Sequence, residues 1–183
     1  MNRRQRLRRT RIRKASLIGP SALAVLMWAI GLFLPARHSE EARTLLGASI
    51  ETVWALLNDL DGMPNWRQDL RGLERLPDLR GQTRWLEIRS SGRSTMFQRV
   101  ESVTPRRLVV RSAASNRQWV YEIRTLDRGS EFVVREERTI TNPVVRTFVM
   151  IFGADRDRID GLTRDLDRRL AGRRAQLAAR TMD

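Results

Sequence analysis

An uncharged run from Ala15 to Ala36 restricts the possible folds of this chain more than any other feature. It covers 22 positions (15 to 36), and a helix of that length rises about 33 Å, enough to cross a hydrocarbon core of roughly 30 Å. Its apolar residues leave no polar face of the kind that a soluble core helix shows. Pro20 near its start and Pro35 at its end are both compatible with a helix between them. We therefore expect one transmembrane helix over residues 15–36.

A cleaved export signal is the main alternative for this run. Such signals have an apolar region of about 7–15 residues followed by a small-x-small cleavage site. Here the run is longer, and the sequence Leu34-Pro35-Ala36 is a poor cleavage site because of its Leu and Pro. We therefore expect an uncleaved anchor, with a cleaved signal and a buried soluble segment as the alternatives.

The charges on either side of the run predict its orientation. Eight of the 35 Lys and Arg residues lie in Met1–Lys14, which contains no acid, and the whole chain has a net charge of +14. Residues 1–14 are therefore expected to be a cytoplasmic arm that binds anionic lipid headgroups. The mixed charges of residues 37–43 follow the run, so residues 37–183 are expected outside the cytoplasm, in a single-pass protein of the cell membrane. No nucleic-acid binding is expected, since the arm lacks interleaved aromatic residues.

Residues 37–183 have the length of one domain, and they change periodicity along the chain. A short strand over Thr44–Ala48 precedes an amphipathic helix that Ser49 caps and that runs to about Leu60. Six strand-like segments separated by turn signals follow: Leu70–Leu76, Thr83–Ile88, Thr95–Val103, Leu108–Ala113, Trp119–Leu126 and Glu131–Thr141. Connections this short predict an antiparallel meander.

The chain returns to helix at Asn142, which suits an N-cap, and Pro143 suits the first helical position. We expect one long helix to about Leu170. Its first part, "VVRTFVMIF", is apolar nearly all round, and Gly153 would let the helix bend over the sheet.

Four segments in this order resemble one known superfamily. They are "ASIETVWALLNDLDGMPNW", "SVTPRRLVVR", "WVYEI" and "FVVREERTITNPVVRTFVMIFG". The chain from about Glu41 to Leu170 resembles the START-like (SRPBCC) superfamily, of polyketide cyclase/dehydrase and lipid-transport type, although Ala48 or Ser49 stands where a Pro is common. The resemblance implies an α+β helix-grip fold: a curved antiparallel sheet of about seven strands wrapped on a long C-terminal helix, with an apolar cavity between them.

Alternation along the predicted strands indicates which side chains face that cavity. The expected ligand-binding residues are Trp85, Phe97, Trp119, Tyr121, Val134, Glu136 and Phe148. Glu136 and Arg138 share a strand face with apolar residues and could orient the polar end of a ligand. The alternative is that Glu136 pairs with Arg138 or with a neighbouring Arg at the rim. Trp54 and Trp66 are expected in the structural core.

Signatures of catalysis are scarce in this sequence. The only His is His38, next to the predicted membrane exit, there is no Cys, and no GxSxG, HExxH, P-loop or GxGxxG motif occurs. We expect no metal and no cofactor. Glu136, Tyr121 and Arg138 are the candidate catalytic residues.

Three functions remain open from the sequence. The leading one is a membrane-anchored domain that binds a hydrophobic or amphiphilic small molecule, including a lipid. The second is a cyclase/dehydrase-like enzyme on a hydrophobic substrate, working without a metal and with Glu136 or Tyr121 as acid or base. The third is a ligand-free domain that binds a protein partner in the envelope.

Overall fold

The computed structural model describes residues 22–152 and 157–181. The chain divides into two compact units. The first takes its described residues from Met1–His38 and Ile140–Ala154, and the second from Ser39–Thr139 and Asp155–Asp183. Each unit is described by itself below.

A seven-stranded antiparallel sheet dominates the second unit; only the first two residues of its first strand fall in the other unit. The strands are β1 Arg37–Leu46, β2 Leu70–Leu79, β3 Gln82–Arg89, β4 Ser94–Val103, β5 Arg107–Ser112, β6 Arg117–Leu126 and β7 Gly129–Thr139. Their order in the sheet is β1-β7-β6-β5-β4-β3-β2. The predicted meander is therefore confirmed over β2 to β7, with β1 added beside β7.

Local chemistry explains the turns and the curvature of this sheet. Between β2 and β3, Arg80 and Gly81 have φ angles of 54° and 75°. Two successive positive φ values make the two-residue hairpin turn that matches the right-handed twist of the strands. The register shifts between Arg99 and Glu101 on β4, and such bulges bend a strand.

The first strand is longer and earlier than the predicted Thr44–Ala48 segment. Residues 37–43 are polar apart from Ala42, so they show no apolar alternation, yet β1 lies at the edge of the sheet and pairs with β7 through its backbone. An ion pair between Glu41 and Arg135, at 2.7 Å, links the side chains of the two strands.

Two helices pack on the sheet within this unit. Helix α2, Ile50–Asn58, is capped by Ser49, whose Oγ accepts a hydrogen bond from the Thr52 amide at 3.3 Å. A 3₁₀ turn, Met63–Asn65, follows at Pro64. The long helix α4, Asp157–Thr181, buries Ile159, Leu166 and Leu170 along one side. Trp66 is buried and Trp54 partly buried in the same core.

The first unit contains two apolar helical segments: α1, residues 22–33, and α3, Pro143–Phe152. The long helix predicted from Asn142 to Leu170 is thus found as two segments, α3 and α4, which fall in different units. Gly153 and the arm 1–14 lie outside the described residues.

The predicted transmembrane helix over 15–36 lies only partly within the described residues. Within residues 22–152 and 157–181, no helix is both long enough and apolar enough to cross a membrane.

Candidate functional site

A cavity lies in the second unit between the inner face of the sheet and the helices α2 and α4. It is lined by Leu57, Leu60, Met63, Trp66, Arg67, Trp85, Glu87, Phe97, Arg99, Leu108, Val110, Trp119, Tyr121, Val134, Arg158, Ile159 and Leu162. Its volume is about 40 Å³, and on this measure roughly 10–15 Å³ hold one water. The cavity therefore has room for a few water molecules, and a larger ligand needs side chains or α4 to move.

Strand pairing builds an aromatic wall on one side of the cavity. Trp85 and Phe97 are register partners on β3 and β4, and their rings stack with centroids 5.9 Å apart. Phe97 also meets Trp119 of β6 edge-on, at 5.2 Å. Partners in an antiparallel ladder project from the same face, so three strands present their rings together.

Two of the residues that line the cavity, Arg67 and Glu87, belong to a largely buried ion-pair network. Arg67 Nη1 lies 2.9 Å from Glu87 Oε1, and Arg67 Nη2 lies 2.9 Å from Asp69 Oδ2. Arg89 Nη1 reaches the same Asp69 oxygen at 2.6 Å. Burial alone would lower the pKa of Arg67, but the charges of Glu87 and Asp69 outweigh it and raise that pKa. Since Arg67 and Glu87 already satisfy each other, we regard this network as structural.

Glu136, a candidate acid, is occupied by protein partners. Its Oε2 accepts a hydrogen bond from Trp119 Nε1 at 3.0 Å, and its Oε1 lies 3.3 Å from Arg117 Nη1. Glu136 is therefore paired with a neighbouring arginine, Arg117, as in the alternative given in the sequence analysis. Arg138 instead faces Glu40 of β1, at 3.8 Å. Neither Glu136 nor Arg138 is among the residues that line the cavity.

Tyr121 does line the cavity and is held as a neutral phenol. Burial raises its pKa to about 12. Its ring stacks on Phe132 with centroids 6.1 Å apart, and no residue of the described ranges hydrogen-bonds to its hydroxyl. The hydroxyl therefore keeps its proton near neutral pH, where it can donate a hydrogen bond but is a weak choice for a general base.

Arg158 is one of the cavity residues that sequence reasoning missed, and the one with the most distinctive chemistry. Its guanidinium carbon lies 4.6 Å from the centroid of the Trp119 ring, in a cation–π contact. Burial lowers its pKa, and across the described part of the chain no carboxylate comes within ion-pair distance of it. Arg158 directly precedes Ile159, one of the apolar residues that α4 buries along one side. The sequence pattern alone would therefore place Arg158 on the solvent-exposed face of the helix.

Arg99 is a second such cation. Burial lowers its pKa, and its Nε is buried without a hydrogen-bond partner among the described residues. Alternation places Arg99 on the same face of β4 as Phe97, which is the one sequence signal that pointed to it. The lining thus contains three guanidinium groups, from Arg67, Arg99 and Arg158, and one carboxylate, from Glu87.

The other predicted ligand-binding residues divide between the two units. Trp85, Phe97, Trp119, Tyr121 and Val134 all line the cavity. Phe148 does not: it lies on α3 in the first unit, with 53% of its surface exposed. The helical apolar residues that line the cavity are Leu57 of α2, Met63 of the 3₁₀ turn, and Ile159 and Leu162 of α4. That Phe148 and its segment contact the ligand stays a prediction.

No cluster of three or more His, Cys, Asp or Glu residues suited to a metal ion occurs within the described ranges.

Comparison with known proteins gives one family match and several similar folds. The family model for "Polyketide cyclase / dehydrase and lipid transport" matches residues 37–173. No curated protein sequence matches this chain.

Among solved structures, the di-domain ARO/CYC StfQ from the steffimycin biosynthetic pathway is 13% identical with a TM-score of 0.60. The match covers 77% of this chain and 52% of that protein, so this chain spans about half of its length. Norcoclaurine synthase of Thalictrum flavum is 10% identical with a TM-score of 0.61, over 75% of this chain and 96% of that one. A protein of Thermus thermophilus is 16% identical with a TM-score of 0.58, over 74% of this chain and 98% of that one. At these identities the likeness is one of fold.

Proposed function

The chain belongs to the polyketide cyclase/dehydrase and lipid transport family, and from that membership we propose that its cavity binds an amphiphilic small molecule with an anionic group. The apolar body of the ligand would lie against the aromatic wall of Trp85, Phe97 and Trp119. Its anionic group would face Arg158, with the Tyr121 hydroxyl as a hydrogen-bond donor.

The position of Arg158 is the observation that supports this proposal most directly. A guanidinium group is always charged near neutral pH, and Arg158 is half-buried, so its charge has lost part of its contact with water. Arg67 has its carboxylates, whereas Arg158 has an aromatic face and, within the described residues, no carboxylate at ion-pair distance. An anionic ligand would supply the missing partner.

The small volume restricts how such a ligand binds. A cavity of about 40 Å³ cannot hold a naphthalene-sized or longer molecule as it stands. Binding would therefore be accompanied by movement of the aromatic wall or of α4, and would favour small or flat ligands over a full phospholipid. A lipid, as first expected from the sequence, remains within this proposal only if the cavity opens widely.

Catalysis is the second candidate function, and the geometry favours it less. Glu136 is engaged by Trp119 and Arg117, and the raised pKa of Tyr121 opposes its use as a base. A cyclase/dehydrase-like reaction would need Tyr121 as a hydrogen-bond donor or acid. Turnover of a hydrophobic substrate that is abolished by Tyr121→Phe in a folded protein would establish the enzyme instead.

The binding proposal is tested by comparing acids with their neutral esters. Full-length protein in detergent is titrated with 1-naphthoate and with decanoate, each against its methyl ester, while tryptophan emission and melting temperature are followed. A hydrogen bond to a charged group contributes about 1.5–3 kcal/mol, so the acid should bind roughly ten- to a hundredfold more tightly than its ester. A ligand of the folded state also raises the melting temperature.

Three variants, one of them a control, make this titration specific. Arg158→Gln should remove the preference for the acid, and Trp119→Phe should identify the reporting ring. Arg164→Gln removes the same charge from an exposed position of the same helix and should leave the preference intact. Equal binding of acid and ester to the unmodified protein would contradict the proposed role of Arg158. If no ligand changes either signal, the ligand-free, partner-binding function becomes the better hypothesis.

We also propose that residues 15–36 anchor the protein in the cell membrane, with the N-terminus in the cytoplasm and residues 37–183 outside. The length and uncharged character of the run support this, as do the eight positive charges that precede it. A reporter that is active only outside the cytoplasm, fused after Asp183, should give signal in the membrane fraction at full length. A shortened soluble product would instead indicate a cleaved signal.

A further inference from the structure

The exposed surfaces of α1 and α3, both in the first unit, are strongly apolar. Eleven large apolar side chains, seven on α1 and four on α3, are between 41% and 91% exposed: Leu23, Val25, Leu26, Trp28, Ile30, Leu32, Phe33, Val145, Phe148, Met150 and Ile151. Two short helices seldom expose so much apolar surface to water unless another apolar medium or molecule covers it.

The contact between the two helices turns their polar groups away from the outer surface. Thr147 is buried, and its hydroxyl donates to the carbonyl oxygen of Met27 at 2.7 Å. The guanidinium of Arg146, the only charged residue of α3, donates to the carbonyl oxygens of Ile140 at 2.7 Å and Gly31 at 3.3 Å. What α3 presents outward is therefore apolar.

The helices also approach each other closely. A Cβ atom on Gly31 would lie 1.9 Å from the carbonyl oxygen of Pro143, so only Gly permits this contact. A glycine at a close helix contact, with Thr hydroxyls bonded to backbone carbonyls, is the mode of packing that helices use where no water is present.

The sequence favours a lipid bilayer as the medium that covers this apolar surface. Helix α1 lies inside the uncharged run 15–36, and that run directly follows the arm 1–14 with its eight positive charges and no acid. The arm is complementary to anionic lipid headgroups, and the run is continuous with the apolar surface of α1. A bilayer accounts for both, whereas a protein partner would account for the apolar surface alone.

We propose that α3 lies in the apolar part of the membrane beside α1, so that two helices, rather than one, hold the protein there. This inference rests on the proposed anchoring by residues 15–36. It assigns the segment "VVRTFVMIF" to the membrane and removes it from the ligand cavity.

The absence of Cys in this sequence allows a direct test with single-cysteine variants of the full chain. Met150→Cys and Ile151→Cys mark α3, Leu26→Cys marks α1, and Ser115→Cys marks an exposed loop of the second unit. Each variant is given an environment-sensitive fluorophore and reconstituted into phosphatidylcholine–phosphatidylglycerol vesicles. Quenching by nitroxide-bearing lipid is then compared with quenching by iodide in the water. Labels on α3 and α1 should be quenched several times more strongly by the lipid quencher than the label at residue 115, which iodide should quench.

The other outcomes separate the two proposals. If iodide quenches the α3 labels while lipid quenches the α1 label, the α3 proposal is wrong and the anchor stands. If iodide quenches all the labels, both fail. If the α3 labels are shielded from both quenchers, and that shielding grows with the protein-to-lipid ratio, a second copy of the chain covers α3 and the membrane proposal is overturned.

Discussion

Removing the charge of Glu87 should destabilise the protein far more than removing that of a surface glutamate. Glu87 and Arg67 are 4% and 8% exposed, and their charged atoms lie 2.9 Å apart. Breaking a buried ion pair from one side costs about 3–5 kcal/mol, since the other charge is left buried. Here Asp69 still faces Arg67, at 2.9 Å, so Glu87→Gln should cost about 3 kcal/mol, at the lower end of that range.

Thermal unfolding of the full-length protein in detergent, followed by circular dichroism, measures this effect. For a protein of this size 1 kcal/mol shifts the melting temperature by about 2–4 °C, so Glu87→Gln should lower it by roughly 6–12 °C. The matched control is Glu122→Gln, whose side chain is 24% exposed and pairs with the more exposed Arg107 at 2.6 Å. Surface pairs contribute at most about 1 kcal/mol, so this control should lose less than about 4 °C.

A double substitution separates charge from packing. In Arg67→Met/Glu87→Gln neither member of the pair is left as an unpaired charge, and Asp69 keeps Arg89 at 2.6 Å. The double variant should therefore be more stable than Glu87→Gln alone. The reasoning would be refuted if Glu87→Gln lost no more stability than Glu122→Gln. It would also be refuted if the stability loss of the double variant equalled the sum of the losses of Arg67→Met and Glu87→Gln measured singly.

Three further outcomes follow from the same structure. Tyr121→Phe should leave the melting temperature nearly unchanged, because Tyr121 is only partly buried and no hydrogen bond to its hydroxyl is found within the described residues; a clear drop would reveal a hydrogen bond. Gly129→Ala should destabilise the protein by about 2 kcal/mol or more, since φ is +98° there and a Cβ would lie 2.1 Å from the Leu46 carbonyl oxygen. Gly172→Ala, on α4 with nothing within 4 Å of its Cβ, should instead be neutral or stabilising in the same melts. Burial raises the pKa of Asp69, but its arginine partners lower it overall. The stability it contributes is therefore present above its unfolded pKa of about 3.9 and lost as pH falls through the lower folded value, a loss that Asp69→Asn should reduce.

The meander could be predicted from the sequence because turn chemistry and alternation agree there. The segment "PDLRGQ" marks the turn at Arg80–Gly81, and the predicted strand Thr83–Ile88 lies within β3, Gln82–Arg89. Strand ends were less predictable: β6 begins at Arg117, not at Trp119, because its first two residues pair with β7 through the backbone ladder. A ladder accepts polar side chains at its ends, so apolar alternation underestimates strand length.

The separation of α3 from α4 could not be predicted in the same way. An all-apolar helix has no polar face to indicate which partner it meets, so "VVRTFVMIF" suits a ligand cavity, a core and a bilayer equally well. Its contact with α1 depends on a close approach between Gly31 and the carbonyl of Pro143, more than a hundred residues apart in the sequence. Only a three-dimensional structure brings such positions together.

The positive charge of the cavity could not be predicted from the sequence, for a related reason. The chain has 35 Lys and Arg residues, and most positions next to the apolar residues of a helix are solvent-exposed. Nothing in the sequence therefore distinguishes Arg158 from a surface arginine. In the fold, Arg67 is neutralised by Glu87, whereas Arg158 rests on Trp119. Folding has therefore already removed part of the hydration of Arg158, so an anion that bound there would displace only the remaining part of it, in addition to losing its own hydration. A neutral ligand of the same shape gains the apolar contacts but leaves that cation unpaired. The difference in binding free energy between the two ligands would therefore depend on Arg158. The aromatic wall would not contribute to it, because both ligands would contact that wall equally.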